Sequence, residues 1–501
     1  MSLDTTFWLP ELFLYNTMTR SKQKFVSLYQ QGKKDVVWIY SCGPTVYRDP
    51  HIGNMRAFTS NAILRNIIKH ILGLPVLHVM NLTDVGHLTD DGDHGEDKME
   101  KWAKRENMTV RELAEMYTQK FLEAVEALDI GPYDVLPKAT DHIQEQIDMI
   151  VTLEQKGFVY RIDNDGMYMN TSKVEDYGKL ARLDSQDLQA WARVDASNKK
   201  NPSDFALRKF SAEGECRQME RDSPRWVWFP WRHIECSAMA SKYLGEEFDI
   251  HTWWVDHIGV HHTNEIAQSE CCFGSKPRVH YRLHNEFLQL WGKKMSKSAW
   301  AITTVAWVVE SWFDAMDIKY LFLSWHYRSF LDFGTDMLEQ SRNARTNLYK
   351  KIHSHPEMQT FQKSISQTKN NTDSLVSKSY ASMFESLQDQ QIRQLCQECA
   401  EVLCDDMNTP KLLALYHTLS KMDHVDVLSV LYWFDSYITR MWLFEVSEQE
   451  AKVIPQEIHD LAQQRVDAKK QKDYARADKL RQDIEDAWFS VQDTSDWYLL
   501  S

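Results

Sequence analysis

The sequence predicts an α/β fold with a doubly wound parallel sheet, on the evidence of three neighbouring segments. Residues 36–42 are apolar and rich in β-branched and aromatic side chains, and they end at Gly43-Pro44. Apolar residues recur at helical spacing between Met55 and His70, and Leu74–Met80 has the composition of a second strand. A strand, a glycine turn, a helix and another strand open a βαβ unit, which favours a parallel sheet.

The later segments interrupt this pattern, resume it and then become helical. In chain order, the sequence predicts charged helices at 98–160, a mixed and turn-rich insertion at 160–235, a strand at Phe248–His251, a helix from about Thr263, amphipathic helices at 335–445 with polar breaks such as Ser364–Asn371, and a basic run from Arg465 to Arg481. The return of a strand and a helix after the insertion indicates that it divides one α/β domain.

Length and composition limit the class of protein. The chain has 501 residues, enough for about three domains. No apolar run reaches the ~18 residues of a membrane span, and the first residues lack the features of a secretory signal. The eight cysteines are too few for a disulfide framework. We therefore expect a soluble cytoplasmic protein with no membrane partner, and the net charge of -14 argues against a general nucleic-acid coat.

A first motif combines Cys42-Gly43-Pro44-Thr45-Val46-Tyr47 with His51-Ile52-Gly53-Asn54. Most His-x-Gly turns are helix caps or surface groups. This one follows a predicted strand and opens a predicted helix, where free backbone N–H groups can hold a phosphate and glycine allows its close approach.

A second motif is Lys294-Met295-Ser296-Lys297-Ser298. An arbitrary pair of lysines at this spacing is usually a solvated loop. Its functional interpretation is a mobile loop whose ammonium groups meet a polyphosphate as charge moves to the leaving group. Two phosphate-suited motifs at opposite ends of one α/β unit favour a nucleotide substrate.

A third group has the residue types of a metal site. His261 and Glu265 are four residues apart and share one helix face, and Cys42 and Cys236 supply two thiolates. Two sulfurs, an imidazole and a carboxylate suit tetrahedral zinc, although buried cysteines and helix-face histidines are common without metal. The lone Cys396-x-x-Cys399 pair lies in a helical stretch and is predicted to be core.

Together and in this order, the three groups resemble the cysteinyl-tRNA synthetases, a family of class I aminoacyl-tRNA synthetases. The resemblance runs from about Leu14 to the C-terminus and rests on these motifs and on His233–Met239, Asn264–Glu270, Asp405–Pro410 and Lys472–Arg481. It implies a class I Rossmann-like parallel-sheet catalytic domain with an insertion, a helical bundle and a small C-terminal anticodon-binding region. The implied divisions are a catalytic domain at 1–140 and 233–280, an inserted connective domain at 141–232, a KMSKS-loop and stem-contact region at 281–335, the bundle at 336–445 and the anticodon-binding region at 446–501.

The resemblance also implies an activity and its cofactors. The enzyme would activate L-cysteine with ATP to cysteinyl adenylate and transfer it to the 3′ terminal ribose of tRNA(Cys). One Zn²⁺ per chain would be bound by Cys42, Cys236, His261 and Glu265, and Mg²⁺ would accompany ATP. Because zinc bonds a thiolate far more strongly than a hydroxyl, the metal would separate cysteine from serine. The family expectation is a monomer.

Residue roles follow from the same resemblance. The catalytic residues would be His51, Asn54, Lys294 and Lys297. ATP would contact Pro44, Thr45, His51, Gly53, Asn54 and Lys297. The amino acid would contact Gly43, Thr83, His251 and Asp256, with the Asp256 carboxylate near the substrate amino group.

The departures from the family are systematic. The chain has 18 Trp and 17 Gly, whereas glycine alone is ordinarily about 7% of residues. Tryptophan stands where the family usually has glycine at positions 38, 191, 226, 228, 231, 253, 254, 300, 312, 488 and 497, with Trp102 and Trp291 similar, and arginine replaces tryptophan at Arg208, Arg225 and Arg232. We therefore expect that UGA glycine codons and certain CGN tryptophan codons were translated with the wrong code.

Two other classes of protein remain open. One is a ligase that activates cysteine in the same way but passes it to an amino sugar; residues 336–501 argue against it, because such an enzyme needs no anticodon-reading tail. The other is a non-enzymatic relic that binds tRNA or zinc. The intact His51, Lys294, Lys297 and four metal-type residues argue against a relic.

Overall fold

The computed structural model describes residues 9–85, 98–182, 198–210, 221–223, 226–230, 233–290, 293–294, 304–368, 379–445, 456–470, 473–486, 491–493 and 498–500. The chain divides into two compact units, Met1–Leu443 and Phe444–Ser501.

The strands are β1 (Phe13–Asn16), β2 (Ser21–Lys24), β3 (Val37–Ser41), β4 (Val76–Met80), β5 (Val159–Ile162), β6 (Gly166–Met169), β7 (Phe205–Phe210), β8 (Arg221–Ser223), β9 (Trp226–Pro230), β10 (Phe248–Trp254), β11 (Val279–Asn285), β12 (Leu288–Leu290), β13 (Lys293–Lys294), β14 (Leu331–Phe333), β15 (Val491–Asp493) and β16 (Tyr498–Leu500). The α-helices are α1 (Ile52–Asn66), α2 (Lys98–Glu106), α3 (Val110–Ala127), α4 (Ile143–Gln155), α5 (Ile234–Leu244), α6 (His261–Phe273), α7 (Val305–Glu310), α8 (Ala315–Leu323), α9 (Thr335–His353), α10 (Met358–Thr368), α11 (Tyr380–Ser386), α12 (Gln390–Cys404), α13 (Thr409–Leu419), α14 (Val425–Phe434), α15 (Gln456–Lys470) and α16 (Tyr474–Asp486).

A four-stranded parallel sheet in the order β11-β10-β3-β4 forms the centre of the first unit. Every residue of β10 is buried, as expected for a strand covered on both faces. The strands run in register, so that Ile39 of β3 pairs with Ile250 on one side and His78 on the other. This arrangement confirms the predicted α/β fold, and it brings the carboxyl ends of four strands to one edge, where open α/β sheets bind ligands.

Helix α1 connects β3 to β4 and is buried along nearly its whole length. Its residue Phe58 lies with its ring centroid 5.2 Å from Phe121 of α3 and 5.2 Å from Trp253 of β10. A π-helical turn over Ile67–Ile71 ends the helix close to the predicted boundary. Burial on several sides fixes α1, and therefore its N-terminus, relative to the sheet edge.

The predicted run of helices at 98–160 is wrong for the segment between α3 and α4. There Val135 and Lys138 form parallel bridges with Val79 and Leu82, so the chain extends the sheet edge instead of continuing as helix. The prediction is also wrong at the polar break from Ser364, because α10 continues to Thr368. Local charge and polarity predict neither the pairing of a segment with a distant strand nor the residue at which a helix ends.

The insertion contains a five-stranded antiparallel sheet in the order β5-β6-β7-β9-β8. Its buried residues Met169 and Leu207 belong to a core cluster with Leu153 of α4 and Ile234 of α5. After β11 the chain forms a smaller sheet in which β12 is parallel to β14 and antiparallel to β13. The sequence prediction did not resolve these short strands.

Helices α9 to α14 bury many of their apolar side chains. Cys396 and Cys399 are fully buried on α12, which confirms that this pair belongs to the core. In the second unit α15 packs on α16, and β15 pairs with β16. Among the described residues, no helix combines the length and apolar character needed to cross a membrane.

Candidate active site

A cavity of about 540 Å³ opens at the carboxyl edge of the parallel sheet. Most of the residues predicted to bind substrate or metal line it, namely Cys42, Gly43, Pro44, Thr45, His51, Gly53, Asn54, Thr83, Cys236, Asp256 and His261. They come from the loops after β3, β4 and β10 and from the first turns of α1, α5 and α6. The fold therefore assembles in one place residues that lie up to 219 positions apart in the chain.

The four predicted metal ligands meet at one end of this cavity, and their ligating atoms all lie within 4.8 Å of one another. Cys42 Sγ is 3.9 Å from Cys236 Sγ, 3.5 Å from His261 Nε2 and 3.8 Å from Glu265 Oε1. Ligands of a tetrahedral zinc ion with bonds of ~2.0–2.3 Å lie about 3.3–3.8 Å apart. These separations and donor types fit a metal ion.

A second, overlapping group consists of Cys42, His251, His262 and Glu265, with ligating atoms equally close. His262 Nε2 is 3.6 Å from Cys42 Sγ, and His251 Nε2 is 2.8 Å from Glu265 Oε2. This group has one sulfur where the first has two, and thiolates are the donors that favour soft or borderline metals. The first group is therefore the better site for zinc, and His251 lies behind Glu265 as its hydrogen-bond partner.

The residues of the first group shift one another's pKa values. Burial and the neighbouring Cys236 raise the pKa of Cys42 well above its ordinary value, whereas the hydrogen bond with Cys42 lowers the pKa of Cys236 to about 7. Burial alone would lower the pKa of His261, but the negative charges of Glu265 and Cys236 raise it to about 10. The pKa of Glu265 stays well below its ordinary value because three histidines outweigh the effect of burial.

The other end of the cavity is formed by the first turn of α1. His51 is the N-cap, and its Nδ1 accepts a hydrogen bond of 3.2 Å from the Asn54 N–H. Burial and the neighbouring Arg48 lower the pKa of His51 to about 3, so its ring is neutral. A Cβ at Gly53 would lie 2.7 Å from His51 Nδ1, which explains why glycine occupies this turn. The helix N-terminus faces the cavity and suits an anion.

Gly43 lies between the metal-type group (Cys42, Cys236, His261 and Glu265) and the turn predicted to bind nucleotide (the nucleotide turn, His51–Asn54). Its N–H donates to Asn81 Oδ1 at 3.0 Å, and a Cβ there would lie 1.5 Å from the Asn81 carbonyl oxygen. Thr83 faces Thr45 in a parallel bridge, so both sides of this part of the cavity are fixed to β3 and β4. Glycine is thus required by a close backbone approach.

The lysine motif is only partly within the described residues. The Lys294 backbone belongs to β13, where it pairs with Gln289, while the Lys294 side chain and all of Lys297 lie outside the description. Their contact with phosphates stays a prediction.

Two of the anomalous tryptophans line the cavity, namely Trp253 and Trp254 at the end of β10. The Trp254 ring stacks on Phe287 with a centroid distance of 6.4 Å, and its indole N–H has no hydrogen-bond partner among the described residues. Trp312, another of these tryptophans, has a φ angle of 67°, in the left-handed region that favours glycine.

The remaining anomalous positions are described in part or not at all. Trp38 is half-buried beneath Lys34, Trp102 lies beside Tyr47, and Arg208 is buried on β7. Side chains outside the description are those of Trp191, Trp226, Trp228, Trp231, Trp291, Trp300, Trp488, Trp497, Arg225 and Arg232.

Sequence reasoning missed a cluster of histidines around the metal-type group. His233 Nδ1 lies 2.6 Å from His261 Nδ1, and His262 Nδ1 lies 2.8 Å from His284 Nε2. His257 Nε2 accepts a hydrogen bond of 3.1 Å from Trp253 Nε1. The signal was the density of histidines between 251 and 262, but their convergence depends on strand order, which the sequence does not state.

A family model described as "tRNA synthetases class I (C) catalytic domain" matches residues 28–343. Among solved structures, methionyl-tRNA synthetase of Mycobacterium tuberculosis, described as bound by methionyl-adenylate, has a similar fold with a TM-score of 0.52 at 12% identity, covering 81% of this chain and 90% of that chain. The match of the family model over more than half of the chain defines the catalytic domain of a class I tRNA synthetase, and the parallel sheet agrees with it.

Curated relatives narrow the class. Cysteine--tRNA ligase of Treponema denticola is 39% identical over 96% of this chain and 98% of its own length. Cysteine--tRNA ligase 1 of Burkholderia lata is 37% identical over 96% of this chain and 95% of its own length. The chain belongs to the cysteine–tRNA ligase family, which confirms the resemblance stated from its motifs.

Proposed function

We propose that this enzyme activates L-cysteine with ATP and transfers it to the terminal ribose of tRNA(Cys). The observation that carries the proposal is one cavity with a two-thiolate metal-type group at one end and a helix N-terminus at the other. Gly43, Pro44 and Thr45 line the cavity between these two ends, and we place the amino acid there, beside the nucleotide.

We propose zinc as the metal held by Cys42, Cys236, His261 and Glu265. When bound, zinc supplies a bond to the substrate thiolate that a serine hydroxyl does not match. Size alone would separate two side chains that differ by one atom by only ~1–3 kcal/mol. His251 is hydrogen-bonded to Glu265 and fixes its carboxylate. We assign the carboxylate of Asp256, which lines the cavity, to the substrate amino group.

In the first step the substrate carboxylate attacks the α-phosphorus of ATP and pyrophosphate leaves. The chain contributes mainly by positioning and by stabilising charge. The N-terminus of α1 and the neutral ring of His51 bind the nucleotide phosphates, and Gly53 and Asn54 let the backbone approach them. Lys294 and Lys297 would hold the departing pyrophosphate, with Mg²⁺ accompanying ATP.

In the second step a ribose hydroxyl of the tRNA attacks the adenylate carbonyl and AMP leaves. We place the anticodon contact in the C-terminal region, where Arg476, Lys479 and Arg481 of the basic run Arg465–Arg481 are exposed and carry the positive charge that suits tRNA phosphates, whereas Arg465 is buried. Because tRNA is charged and used where proteins are made, we place the enzyme in the cytoplasm. We also propose that it is a monomer.

We also propose that the native protein has glycine at the anomalous tryptophan positions. Two observations support this reading: Trp312 adopts a backbone angle suited to glycine, and Trp254 buries in the cavity wall an indole N–H that has no hydrogen-bond partner among the described residues. Peptide masses from the native source test it. Glycine masses at positions 253 and 254 are expected, and tryptophan masses there would refute the wrong-code explanation.

The proposed activity is tested by cysteine-dependent ATP–pyrophosphate exchange, with serine as control, on protein holding one zinc per chain. Both the chain as written and the chain with glycine and tryptophan restored are assayed. We expect exchange to be far faster with cysteine than with serine, and slower in the chain as written than in the restored chain. A folded, zinc-loaded, restored chain without exchange would refute the activity. Transfer to tRNA(Cys) or to an amino sugar then identifies the acceptor.

A further inference from the structure

Arg56 lies on α1 two residues beyond the nucleotide turn and is 1% exposed. Its Nη1 donates to the carbonyl oxygens of Glu286 and Phe287, both at 3.2 Å. Its Nη2 donates to the carbonyl oxygens of His326 and Ser329 at 2.9 and 2.7 Å. One guanidinium therefore joins the helix to two separate loops through four backbone hydrogen bonds.

These two loops lead into strands of the small sheet β13-β12-β14, which contains Lys294. The first loop leads into β12 and the second into β14, and β12 pairs with both β14 and β13. The loops are also bonded to each other, since the Glu286 N–H donates to the Tyr327 carbonyl at 2.9 Å. Lys294, the first residue of the lysine motif, is the last residue of β13.

The arrangement requires an arginine. A buried charge is costly, and burial lowers the pKa of Arg56 to about 10. An apolar side chain of similar length would fill the space without that cost but would leave the carbonyls without this donor. Lysine presents a compact ammonium in place of a planar fork, so it cannot reach two loops with the same geometry.

The loop bound by Arg56 also forms part of the cavity wall. Phe287 and Leu288 line the cavity on the side of the nucleotide turn, and Leu288 Cβ lies 3.8 Å from the position of a Cβ on Gly53. A displacement of this loop would therefore move both the wall beside the nucleotide and the strand that carries Lys294.

We propose that Arg56 is a positioning residue that fixes the spacing between the N-terminus of α1 and the β12–β13 hairpin. Correct spacing lets the phosphates of ATP meet both elements at once during adenylate formation. This inference rests on the proposed function, because it assigns Arg56 to the activation step.

The same helix offers a matched control. Arg65 is also buried on α1, and it donates to the carbonyl oxygens of Pro132, Ile130 and Gly131 at 2.6, 3.2 and 3.4 Å. This loop is absent from the residues that line the cavity. Loss of Arg65 removes a comparable set of hydrogen bonds without touching the hairpin.

The experiment compares Arg56→Gln and Arg56→Lys with Arg65→Gln and Arg65→Lys. All four are made in the chain as written or in the restored chain, whichever exchanges pyrophosphate faster without these substitutions. Thermal unfolding and near-UV circular dichroism check that each variant is folded. Pyrophosphate exchange then gives kcat and the KM values for ATP and cysteine. Misplacement of reacting groups by about 1 Å can cost ~100-fold in rate, so Arg56→Gln is expected to lose about 100-fold in kcat and Arg56→Lys about tenfold.

The KM for cysteine is expected to stay within about twofold in the Arg56 variants, because among the described residues no hydrogen bond or ion pair joins Arg56 to the metal-type group. The Arg65 variants are expected to keep kcat within about twofold. Equal kcat losses in the two series would reduce Arg56 to a structural role and overturn the inference. If Arg56→Gln does not fold, an unchanged kcat in folded Arg56→Lys overturns it. Absence of exchange in the wild type would refute the proposed function instead.

Discussion

Metal binding to Cys42, Cys236, His261 and Glu265 is expected to release protons and to strengthen as the pH rises. At pH 7 the raised pKa of Cys42 and the pKa of about 10 of His261 keep both groups protonated. Cys236, with a pKa of about 7, is half protonated, and Glu265 is ionised. Because all four donors must be deprotonated to bind the ion, binding releases about 2.5 protons at this pH.

The proton count sets the pH dependence of affinity. With about 2.5 protons released, the zinc affinity should rise about 300-fold between pH 6.5 and 7.5. Zinc affinity rises with pH because protons and zinc compete for the same ligand atoms. Below pH 7 protons occupy Cys236 as well, and above pH 7 its sulfur is already deprotonated. Replacement of Cys42 by serine removes one of the protonated thiols, so it should reduce the number of protons released by about one.

Isothermal titration calorimetry with zinc measures this number directly. Titrations at one pH in buffers of different ionisation enthalpy give the protons released from the dependence of the observed enthalpy on the buffer. Cys272→Ser is the matched control, because Cys272 is a buried thiol of α6 outside the group. Release of fewer than about one proton, or an equal change in Cys42→Ser and Cys272→Ser, would refute the reasoning.

Three further predictions concern other parts of the first unit. Asp406→Asn removes the ionic contact with Arg328 at 2.7 Å and should lower the free energy of unfolding, measured by urea titration, by about 1–2 kcal/mol. The control Asp405→Asn, whose side chain is about half exposed, should change it by less than about 0.5 kcal/mol. Gly43→Ala places a Cβ 1.5 Å from a backbone oxygen and should reduce exchange at least ~100-fold; a rate near wild type would contradict the close approach. His51→Ala should lower kcat for exchange about 100-fold or more, and a change confined to the KM for cysteine would contradict its place at the nucleotide.

The sequence predicted the central fold because its signals are local. The apolar run at 36–42 became β3 at Val37–Ser41, and the helix predicted from Met55 begins at Ile52. The motif His51-Ile52-Gly53-Asn54 was predicted to open this helix, and His51 is indeed its N-cap. Helix α6 begins at His261 instead of about Thr263, and its N-cap Val260 makes no side-chain hydrogen bond, so no capping signal marked the start.

The parts that could not be predicted depend on tertiary contacts. Val135 and Lys138 bridge to the sheet edge through pairing partners far away in the chain. The histidine cluster needs β10 beside β11, because this pairing lets His262 of α6 contact both His251 and His284. The four metal-type residues were proposed from their chemistry and the resemblance, and only the parallel order of the strands explains why they meet.

The two ends of the cavity are held by different parts of the fold, and this separation has a consequence for selectivity. The metal-type end is fixed by β3, α5 and α6, whereas the nucleotide end depends on α1 and on the loops that Arg56 binds. A change at Arg56 should therefore slow cysteine and serine alike and leave their ratio within about twofold. Cys236→Ser should instead reduce the ratio, because it weakens the group that distinguishes a thiolate from a hydroxyl. If the Arg56 variants altered the cysteine-to-serine ratio as much as Cys236→Ser does, the two ends would act as one unit and the separate roles assigned to them would be wrong.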